Sequence, residues 1–487
     1  MHVNMRSSIR ALPAPATAYV PTRPPSRSLR LAPRAVFHPR IARTRSLTSS
    51  AAVATPDVAD SLNGWVSQSL SQDLGVQCAV KDGELVAVAR RDFGAGEEIL
   101  NVPQKTWITP ATASASELGD SVAQLEPWLQ VALLLIKERS KLESGEGSAF
   151  ESYISSLPTE LGSPVFWPES DLQGIEGTQL WQSCLGYRDF FAQKFKDLQA
   201  TVFASNPTIF DPSVFTFEAF CWGVGTVRAR VHPPLDGNDV AMVPMADLVV
   251  HSRLANVTWE LSSGNLLRRE SSLVLKTTKE IGQGQTLQMD FGPNALDGKI
   301  ALDYGVVDEF VPTGGYSLTM KIPENDSCLD DKLDILELQG MGESVTFELV
   351  ADVPPAPEFL GFLRLLNCSG DDAFHLEALF RNDAWDHMME PLSQTNEEML
   401  CETMIGGCKE ALRGYESIPK RSKGAGKREE LSWQVCDGER AGLEYVLQWF
   451  EDRKSKVESL EFYAERRLRM LNLLDDEGNS TFEDMFT

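Results

Sequence analysis

The feature that most constrains the fold is a β-strand pattern that a long helical segment divides into two parts. Short runs of alternating apolar and polar residues occupy residues 75–110, and strand character returns at residues 240–291. In the intervening stretch, apolar residues recur three and four positions apart between helix-breaking prolines. Because these spacings predict strands and helices respectively, we expect a small β domain with a helical insert at about residues 111–222. The first strands are expected around Val80, Val86 and Ile99.

Two short segments repeat one pattern in the two halves of the β region. Residues 92–99 and residues 280–287 both read acidic, apolar, Gly-x-Gly, polar, any residue, apolar. Glycine readily adopts the positive φ of tight turns, so each segment predicts a strand, a turn and a returning strand. A phosphate-binding loop is disfavoured because neither segment continues as Gly-x-Gly-x-x-Gly or opens a helix.

The C-terminal part of the chain has helical spacing to its end, beyond a boundary near residues 325–332. Residues 418–430 are typical of a flexible basic loop, and a last long helix is expected from about Glu439 to beyond Leu473. Apolar residues that recur at helical spacing favour packing against a core over a cofactor site. We therefore expect two folded units, one at residues 70–320 and one at residues 330–487.

Charge is distributed very unevenly along the chain. Residues 1–50 contain nine of the 45 Lys and Arg residues, whereas all 70 Asp and Glu residues lie beyond them. The acidic body argues against binding to nucleic acid or to an anionic membrane, because both require a basic surface. The longest apolar run, Val131 to Ile136, is far shorter than the roughly 20 residues that span a bilayer.

The acid-free leader at residues 1–50 is rich in Arg, Ser, Ala and Pro. This composition is typical of an organelle transit peptide, and a disordered basic tail is the alternative. Composition alone leaves mitochondrion and chloroplast open.

The sequence contains few of the patterns that support common catalytic sites. Its eight cysteines include no Cys-x-x-Cys pair, and the four histidines beyond the leader lack metal-ligand spacing, so we expect no metal. A Gly-x-Ser-x-Gly elbow and a Walker loop are also missing. The candidates that remain are polar residues of the β region, namely Arg230, Asp247, His251 and Tyr304. Each also has a structural explanation, as part of an ion pair, a buried histidine or a packed tyrosine.

These candidates lie in a collinear series of short motifs. The motifs are LNVPQKTWITP at residues 100–110, RAR at 228–230, MVPMADLVVHS at 242–252 and LDYG at 302–305. In this order the chain resembles the plastid SET-domain protein lysine methyltransferases, typified by the Rubisco large subunit methyltransferase. The resemblance covers most of the chain after about residue 70. It implies an α+β fold, in which a SET-domain β fold with a pseudoknot is split by the helical insert and followed by an all-α substrate-docking domain.

The resemblance also implies an active site that uses S-adenosylmethionine and no metal. Tyr304 would be the catalytic residue, at the channel through which the methyl group passes. The implied cofactor-binding residues are Gly83, Glu84, Leu85, Arg230, Val250 and His251. The implied substrate-binding residues are Arg230, Asp247, Phe291, Tyr304 and Tyr316.

Several positions differ from the family pattern. Val250 replaces an asparagine near the cofactor, and residues 82–86 retain only one glycine of a glycine-rich element. Leu296 and Asp297 stand where relatives have Ser-Asn, and Pro234 stands where relatives have a second substrate-side arginine. We expect these changes to weaken cofactor binding more than they affect the fold.

The resemblance implies a protein-lysine N-methyltransferase of the chloroplast stroma. Its expected partner is a folded plastid protein, the Rubisco large subunit or fructose-bisphosphate aldolase, and we expect a monomer that binds neither nucleic acid nor membrane. The rival hypothesis is a SET-fold pseudoenzyme that has lost cofactor affinity and serves as a protein-binding module. A third interpretation, methyl transfer to histidine or to a small molecule, stays open, although the helical domain favours a protein substrate.

Overall fold

A computed structural model describes residues 54–70, 74–231, 240–262, 271–308, 310–377, 385–416, 418 and 426–471, so the leader lies outside the described residues. The strands are β1 Val76–Lys81, β2 Glu84–Ala89, β3 Glu98–Pro103, β4 Val250–His251, β5 Val257–Ser262, β6 Ser272–Thr277, β7 Gln288–Met289, β8 Gly315–Lys321 and β9 Ser344–Val350. The principal α-helices are α1 Pro56–Leu70, α2 Pro110–Ser114, α3 Pro127–Ser144, α4 Glu151–Ser156, α5 Glu169–Leu172, α6 Gln179–Leu198, α7 Phe217–Arg230, α8 Asp297–Tyr304, α9 Leu329–Leu338, α10 Pro357–Leu366, α11 Gln394–Arg413, α12 Lys427–Lys454 and α13 Tyr463–Met470. Within these ranges, no helix is long and apolar enough to cross a membrane.

The two β segments come together across the helical insert. β3 of the first segment pairs antiparallel with β6, which pairs on its other edge with β5. The β1–β2 hairpin joins the second segment where the Leu287 N–H donates to the Ala87 carbonyl at 2.9 Å. β4 lies parallel to β7. Strands from opposite sides of the insert therefore satisfy one another's backbone hydrogen-bonding groups.

The repeated Gly-x-Gly segments occupy matching positions in this arrangement. Phe93 and Ile281 exchange two backbone hydrogen bonds, with N···O distances of 2.8 and 3.0 Å. The second glycine of each segment has a positive φ, +82° at Gly96 and +78° at Gly284. The expected turns are present, but the residue before each turn pairs with its counterpart across the insert rather than with the strand that follows.

The helical insert is anchored by the contact between α3 and α7. Pro127 is the first residue of α3, where its missing N–H is not needed, and Gly145 ends the helix with φ +77°. A Cβ at Gly223 of α7 would lie 2.8 Å from the Ala132 carbonyl oxygen of α3. Only glycine permits so close an approach, which fixes the position of α7 and of Arg230 at its end.

The C-terminal part differs from the expected all-helical pattern by one strand. β9 lies beyond the expected boundary and pairs antiparallel with β8, so one ladder joins the two parts of the chain. Val345, Phe347 and Leu349 alternate with polar residues in β9, which is the spacing of a strand with one buried face. The expected last helix is also corrected, because α12 begins at Lys427, ends at Lys454, and is followed by the separate helix α13.

A buried carboxylate joins the C-terminal helices to the insert. Glu439 of α12 is 3% exposed, and its oxygens accept the N–H groups of Gln179 and Leu180 at 2.9 and 3.2 Å. These two N–H groups open α6 and have no partner within that helix. Tyr415 donates its hydroxyl to the same carboxylate. Burial raises the pKa of Glu439 to about 7, so this junction titrates near neutral pH.

Replacement of Glu439 is expected to weaken the contact between α6 and α12. Glu439→Ala leaves buried donors unpaired, so we expect a loss of about 2–4 kcal/mol and a lower Tm. The folded pKa of Glu439 exceeds the unfolded value, so the stability that this group controls falls as the pH rises from 4.5 to about 7. Glu439→Gln cannot ionise and should lack that decline. Thermal unfolding at acidic and at alkaline pH tests both variants, and an alanine variant as stable as the wild type would contradict this role.

Candidate active site

The end of α7 is held by a buried aspartate. Arg230 donates from Nη1 to the backbone carbonyl of Asp247 at 2.8 Å and lies 4.0 Å from its Oδ2 atom. Asp247 belongs to a single 3-10 turn, Ala246–Leu248, and is 2% exposed. Its Oδ2 accepts the hydroxyl of Tyr153, from α4 of the insert, at 2.7 Å. Burial raises the pKa of Asp247, and the Arg230 charge and the Tyr153 hydrogen bond partly oppose this rise.

The turn that carries Asp247 begins with strained backbone. Met245 has φ +73° and ψ −40°, a region that residues with a Cβ rarely occupy. Such a conformation costs about 1–3 kcal/mol and persists only where the surrounding structure holds it. Met245 is completely buried, and the Asp247 N–H donates to the Val243 carbonyl at 3.1 Å. Packing, rather than local preference, therefore fixes the backbone at Asp247.

His251 lies on the parallel β4–β7 pair. The Ser252 N–H donates to the Met289 carbonyl at 2.9 Å, which brings His251 beside Phe291. His251 Nδ1 accepts the Phe291 N–H at 3.3 Å. Burial lowers the pKa of His251, and Nε2 has no hydrogen-bond partner among the described residues. The site thus contains an imidazole that burial keeps neutral at neutral pH.

Three side chains form an aromatic row, namely His251, Phe291 and Tyr304. The His251 and Phe291 ring centroids are 5.2 Å apart, and those of Phe291 and Tyr304 are 4.7 Å apart. Burial raises the pKa of Tyr304, so its hydroxyl stays protonated at neutral pH. Gly305 follows with φ +72°, and a Cβ there would lie 2.1 Å from the Gly162 carbonyl carbon of the insert. The insert therefore packs directly against the chain that leaves Tyr304.

An ion pair connects the helix that carries Arg230 with the helix that carries Tyr304. Arg228 of α7 contacts the carboxylate of Asp303 in α8. The Arg228 guanidinium also lies 4.0 Å from the ring centroid of Tyr187 in α6. Because the Arg228 side chain is only 7% exposed, this pair constrains the two helix ends more than a surface pair would.

Buried carboxylates hold the chain that follows His251. Asp308 accepts the Ser252 hydroxyl at 3.0 Å and the Arg253 N–H at 2.6 Å. Arg253 Nη2 lies 3.3 Å from Asp297 Oδ1, and Asp297 Oδ2 accepts the Thr313 N–H at 2.8 Å. Asp297, one of the positions that departs from the family pattern, thus has hydrogen-bond partners of its own in this chain.

Four of the implied binding residues lie on other elements. Gly83, with φ +79°, forms the β1–β2 turn, and the exposed Glu84 carboxylate accepts a hydrogen bond from Lys427 Nζ at 2.7 Å. Leu85 follows in β2. Tyr316 of β8 packs against the apolar core of the C-terminal helices. Their binding roles stay predictions, and the proline at position 234 lies outside the described residues.

Sequence reasoning does not identify Tyr153, Arg253 or Asp308 as parts of this site. Tyr153 lies 94 positions before Asp247, in a short helix whose apolar spacing indicates only packing. Arg253 directly follows the motif that contains His251, and this position could have identified it as part of the site. Asp308 offers none, because an isolated acid in a loop is usually solvated.

The residue types of the site fit a cationic cofactor. Aromatic faces attract a bound cation electrostatically, and the sulfonium of S-adenosylmethionine is a cation. In the part of the chain that the structure describes, no group of three His, Cys, Asp or Glu side chains could hold a metal ion.

The chain is similar to several plastid proteins. Residues 323–441 match the family described as Rubisco LSMT substrate-binding. The chloroplastic [fructose-bisphosphate aldolase]-lysine N-methyltransferase of Arabidopsis thaliana is 34% identical over 413 residues, which cover 83% of this chain and 85% of that protein. The chloroplastic ribulose-1,5 bisphosphate carboxylase/oxygenase large subunit N-methyltransferase of Pisum sativum is 32% identical over 415 residues, 83% of each chain. The crystal structure of the SET domain of LSMT bound to lysine and AdoHcy has a TM-score of 0.77 at 30% identity, covering 89% of this chain and 100% of that one.

Asp247→Asn tests whether the buried carboxylate lowers the stability of the fold. Because the pKa of Asp247 is raised in the folded state, its ionisation reduces stability as the pH rises from its unfolded value of about 3.9 through its folded value. The asparagine variant avoids this cost, so its Tm relative to wild type should increase with pH. It should also bind S-adenosylmethionine more weakly, because Arg230 loses a neighbouring anion. Thermal unfolding and calorimetry between pH 5.5 and 8.5 measure both, and a Tm difference that does not change with pH would contradict the expectation.

Proposed function

The chain belongs to the plastid SET-domain protein lysine methyltransferases, and we propose that it methylates a lysine of a folded stromal protein. It is a chloroplast protein-lysine N-methyltransferase that uses S-adenosylmethionine. The observation that carries the proposal is the aromatic row of His251, Phe291 and Tyr304, combined with the buried Arg230–Asp247 contact.

Deprotonation of the substrate lysine is the first requirement of this reaction. An ammonium of pKa about 10.4 must lose its proton before it can attack, which costs about 4.6 kcal/mol at pH 7. A desolvating aromatic channel disfavours the charged amine and so lowers this cost. The bound cofactor supplies an activated methyl group on a sulfonium. We assign Phe291 and Tyr304 to the channel wall, where they exclude water and align the amine.

The remaining roles follow from burial and protonation. Because the Tyr304 hydroxyl is held protonated, it orients the amine by hydrogen bonding and does not act as a strong base. Arg230, Val250 and His251 are assigned to the cofactor. The Val250 N–H donates to the Leu287 carbonyl at 3.1 Å, so the strand pairing at this position does not require an asparagine side chain.

The hairpin and β8 supply the other proposed contacts. Gly83, Glu84 and Leu85 are assigned to the cofactor through the β1–β2 turn and the start of β2. Asp247 and Tyr316 are assigned to substrate binding together with Phe291, Tyr304 and Arg230.

The proposed protein substrate is the Rubisco large subunit or fructose-bisphosphate aldolase. Relatives named for each of these activities match more than four-fifths of the chain, and residues 323–441 match a substrate-binding family. We further propose that the enzyme works as a monomer in the stroma. The composition of the leader at residues 1–50, which is typical of a transit peptide, supports the stromal location.

Tyr304→Phe isolates the contribution of the hydroxyl to methyl transfer. The phenylalanine ring preserves packing against Phe291, so Tm and cofactor affinity should change little. Loss of the orienting hydrogen bond should lower kcat by about 100-fold or more. Transfer of labelled methyl groups under single-turnover conditions measures this change, and full retained activity would refute the assigned role.

Mass spectrometry of purified candidate proteins tests the substrate. Incubation of the enzyme and S-adenosylmethionine with unmethylated Rubisco large subunit or with plastid aldolase should add 14 Da increments at a lysine of one of them. The Tyr304→Phe enzyme serves as the matched control. Cofactor binding without methylation of either protein would reject both candidates while leaving the cofactor assignment intact, and methylation at histidine would reject lysine specificity.

A further inference from the structure

We propose that Tyr153, contributed by the helical insert, is a positioning residue that orients Asp247 and thereby the Arg230 guanidinium. The proposal rests on the proposed role of Arg230 in cofactor binding. It assigns to the insert a direct part in assembling the site, because α4 lies far from the β region in sequence and meets it at this side chain.

The position of the Tyr153 hydroxyl is fixed from two sides. Tyr153 is 1% exposed, and its hydroxyl donates to Asp247 Oδ2 at 2.7 Å. On the other side, its ring stacks on Trp65 of α1, with centroids 6.2 Å apart and planes inclined by 22°. Trp65 is itself tied to the insert, because its Nε1–H donates to the Ala149 carbonyl at 3.0 Å. The hydroxyl therefore has little freedom to leave the carboxylate.

Asp247 interacts with Arg230 through both its backbone carbonyl and its side-chain carboxylate. Its backbone carbonyl accepts Arg230 Nη1 at 2.8 Å, and its Oδ2 atom lies 4.0 Å from the same nitrogen. The side chain's other oxygen, Oδ1, is buried without a hydrogen-bond partner among the described residues. Among the described residues, the Tyr153 hydroxyl is the side-chain hydrogen-bond donor to this carboxylate, which also interacts with the backbone N–H groups of Met245 and Asp247.

The charge state of Asp247 depends on this donor. Among the residues that the structure describes, three titratable groups face the carboxylate, namely Tyr153 from α4, Arg230 from α7 and Cys78 from β1. Burial raises the pKa of Asp247, while Arg230 and the Tyr153 hydrogen bond act in the opposite direction. Removal of the hydroxyl should raise the pKa further, so that more of the protein carries a neutral Asp247 and a less firmly held Arg230 at a given pH.

The test compares Tyr153→Phe with a matched variant, Tyr415→Phe. Tyr415 also donates its hydroxyl to a buried carboxylate, that of Glu439, but this pair lies at the junction of α6 and α12. Both variants should lose Tm, because each loses a buried hydrogen bond. Only Tyr153→Phe should weaken S-adenosylmethionine binding, by about tenfold at pH 7. Calorimetric titration of the full-length chain from pH 6 to 9 measures the dissociation constant without involving the lysine substrate.

The pH profile separates positioning from a general loss of structure. In Tyr153→Phe, the pH below which cofactor affinity declines should move upward, whereas in an Asp247→Asn background the same substitution should leave the profile unchanged. An equal shift in Tyr415→Phe, or an unchanged profile in Tyr153→Phe, would overturn the proposal. Titration of S-adenosylmethionine into Arg230→Ala tests the proposed role of Arg230 in cofactor binding. Wild-type affinity in that variant would refute this role and, with it, the role of Tyr153. Affinity that depends on Arg230 but not on Tyr153 would refute this inference alone.

Discussion

The parallel pairing of β4 with β7 is the interaction on which the rest of the structure depends. It is only two residues long in each strand, Val250–His251 and Gln288–Met289, yet it places His251 of β4 beside Phe291, which follows β7. The same β7 region pairs with β2 through Leu287. Three segments, which the insert and the β5–β6 strand pair separate along the chain, thereby share one set of backbone hydrogen bonds. This pairing therefore holds His251 and Phe291 next to each other.

Around this pairing, the site contains groups that do not favour folding by themselves. Met245 is strained, Asp247 is a buried acid with a raised pKa, and His251 Nε2 is buried without a partner among the described residues. Such features persist where the surrounding structure stabilises them and where function requires them. Here the stabilisation comes from the insert, through Tyr153 and the close contact of Gly162 with Gly305.

Local patterns in the sequence predict much of this fold, but they do not predict which distant segments pair with each other. The strands near Val80, Val86 and Ile99 and the helical character of the insert agree with the structure, because alternation and helical spacing are local signals. The two Gly-x-Gly turns also form. Their pairing with each other, at Phe93 and Ile281, cannot be deduced from either segment alone. β9 shows that helical surroundings can obscure an alternating strand, and the early start of α12 shows that a basic loop pattern can continue into a helix.

The sequence likewise predicts some residues of the site and misses others that depend on long-range contacts. Arg230, Asp247, His251 and Tyr304 are candidates from the sequence because the family motifs contain them, and the structure places His251, Phe291 and Tyr304 in one row. Tyr153 could not be predicted, since its partner Asp247 lies 94 positions further along the chain. Asp297 illustrates a further limit, because a departure from the family pattern gives no information about the hydrogen bonds that the new residue makes with Arg253 and Thr313.

The central claim is that this altered site still binds the cofactor of its family. Calorimetric titration of S-adenosylmethionine into the full-length chain at pH 8 tests it most directly, with equilibrium dialysis of labelled cofactor as a second readout in case the enthalpy is close to zero. We expect saturable one-to-one binding in the micromolar range. Absence of binding in both measurements at millimolar cofactor would contradict it and favour a protein-binding module that has kept the fold without the chemistry.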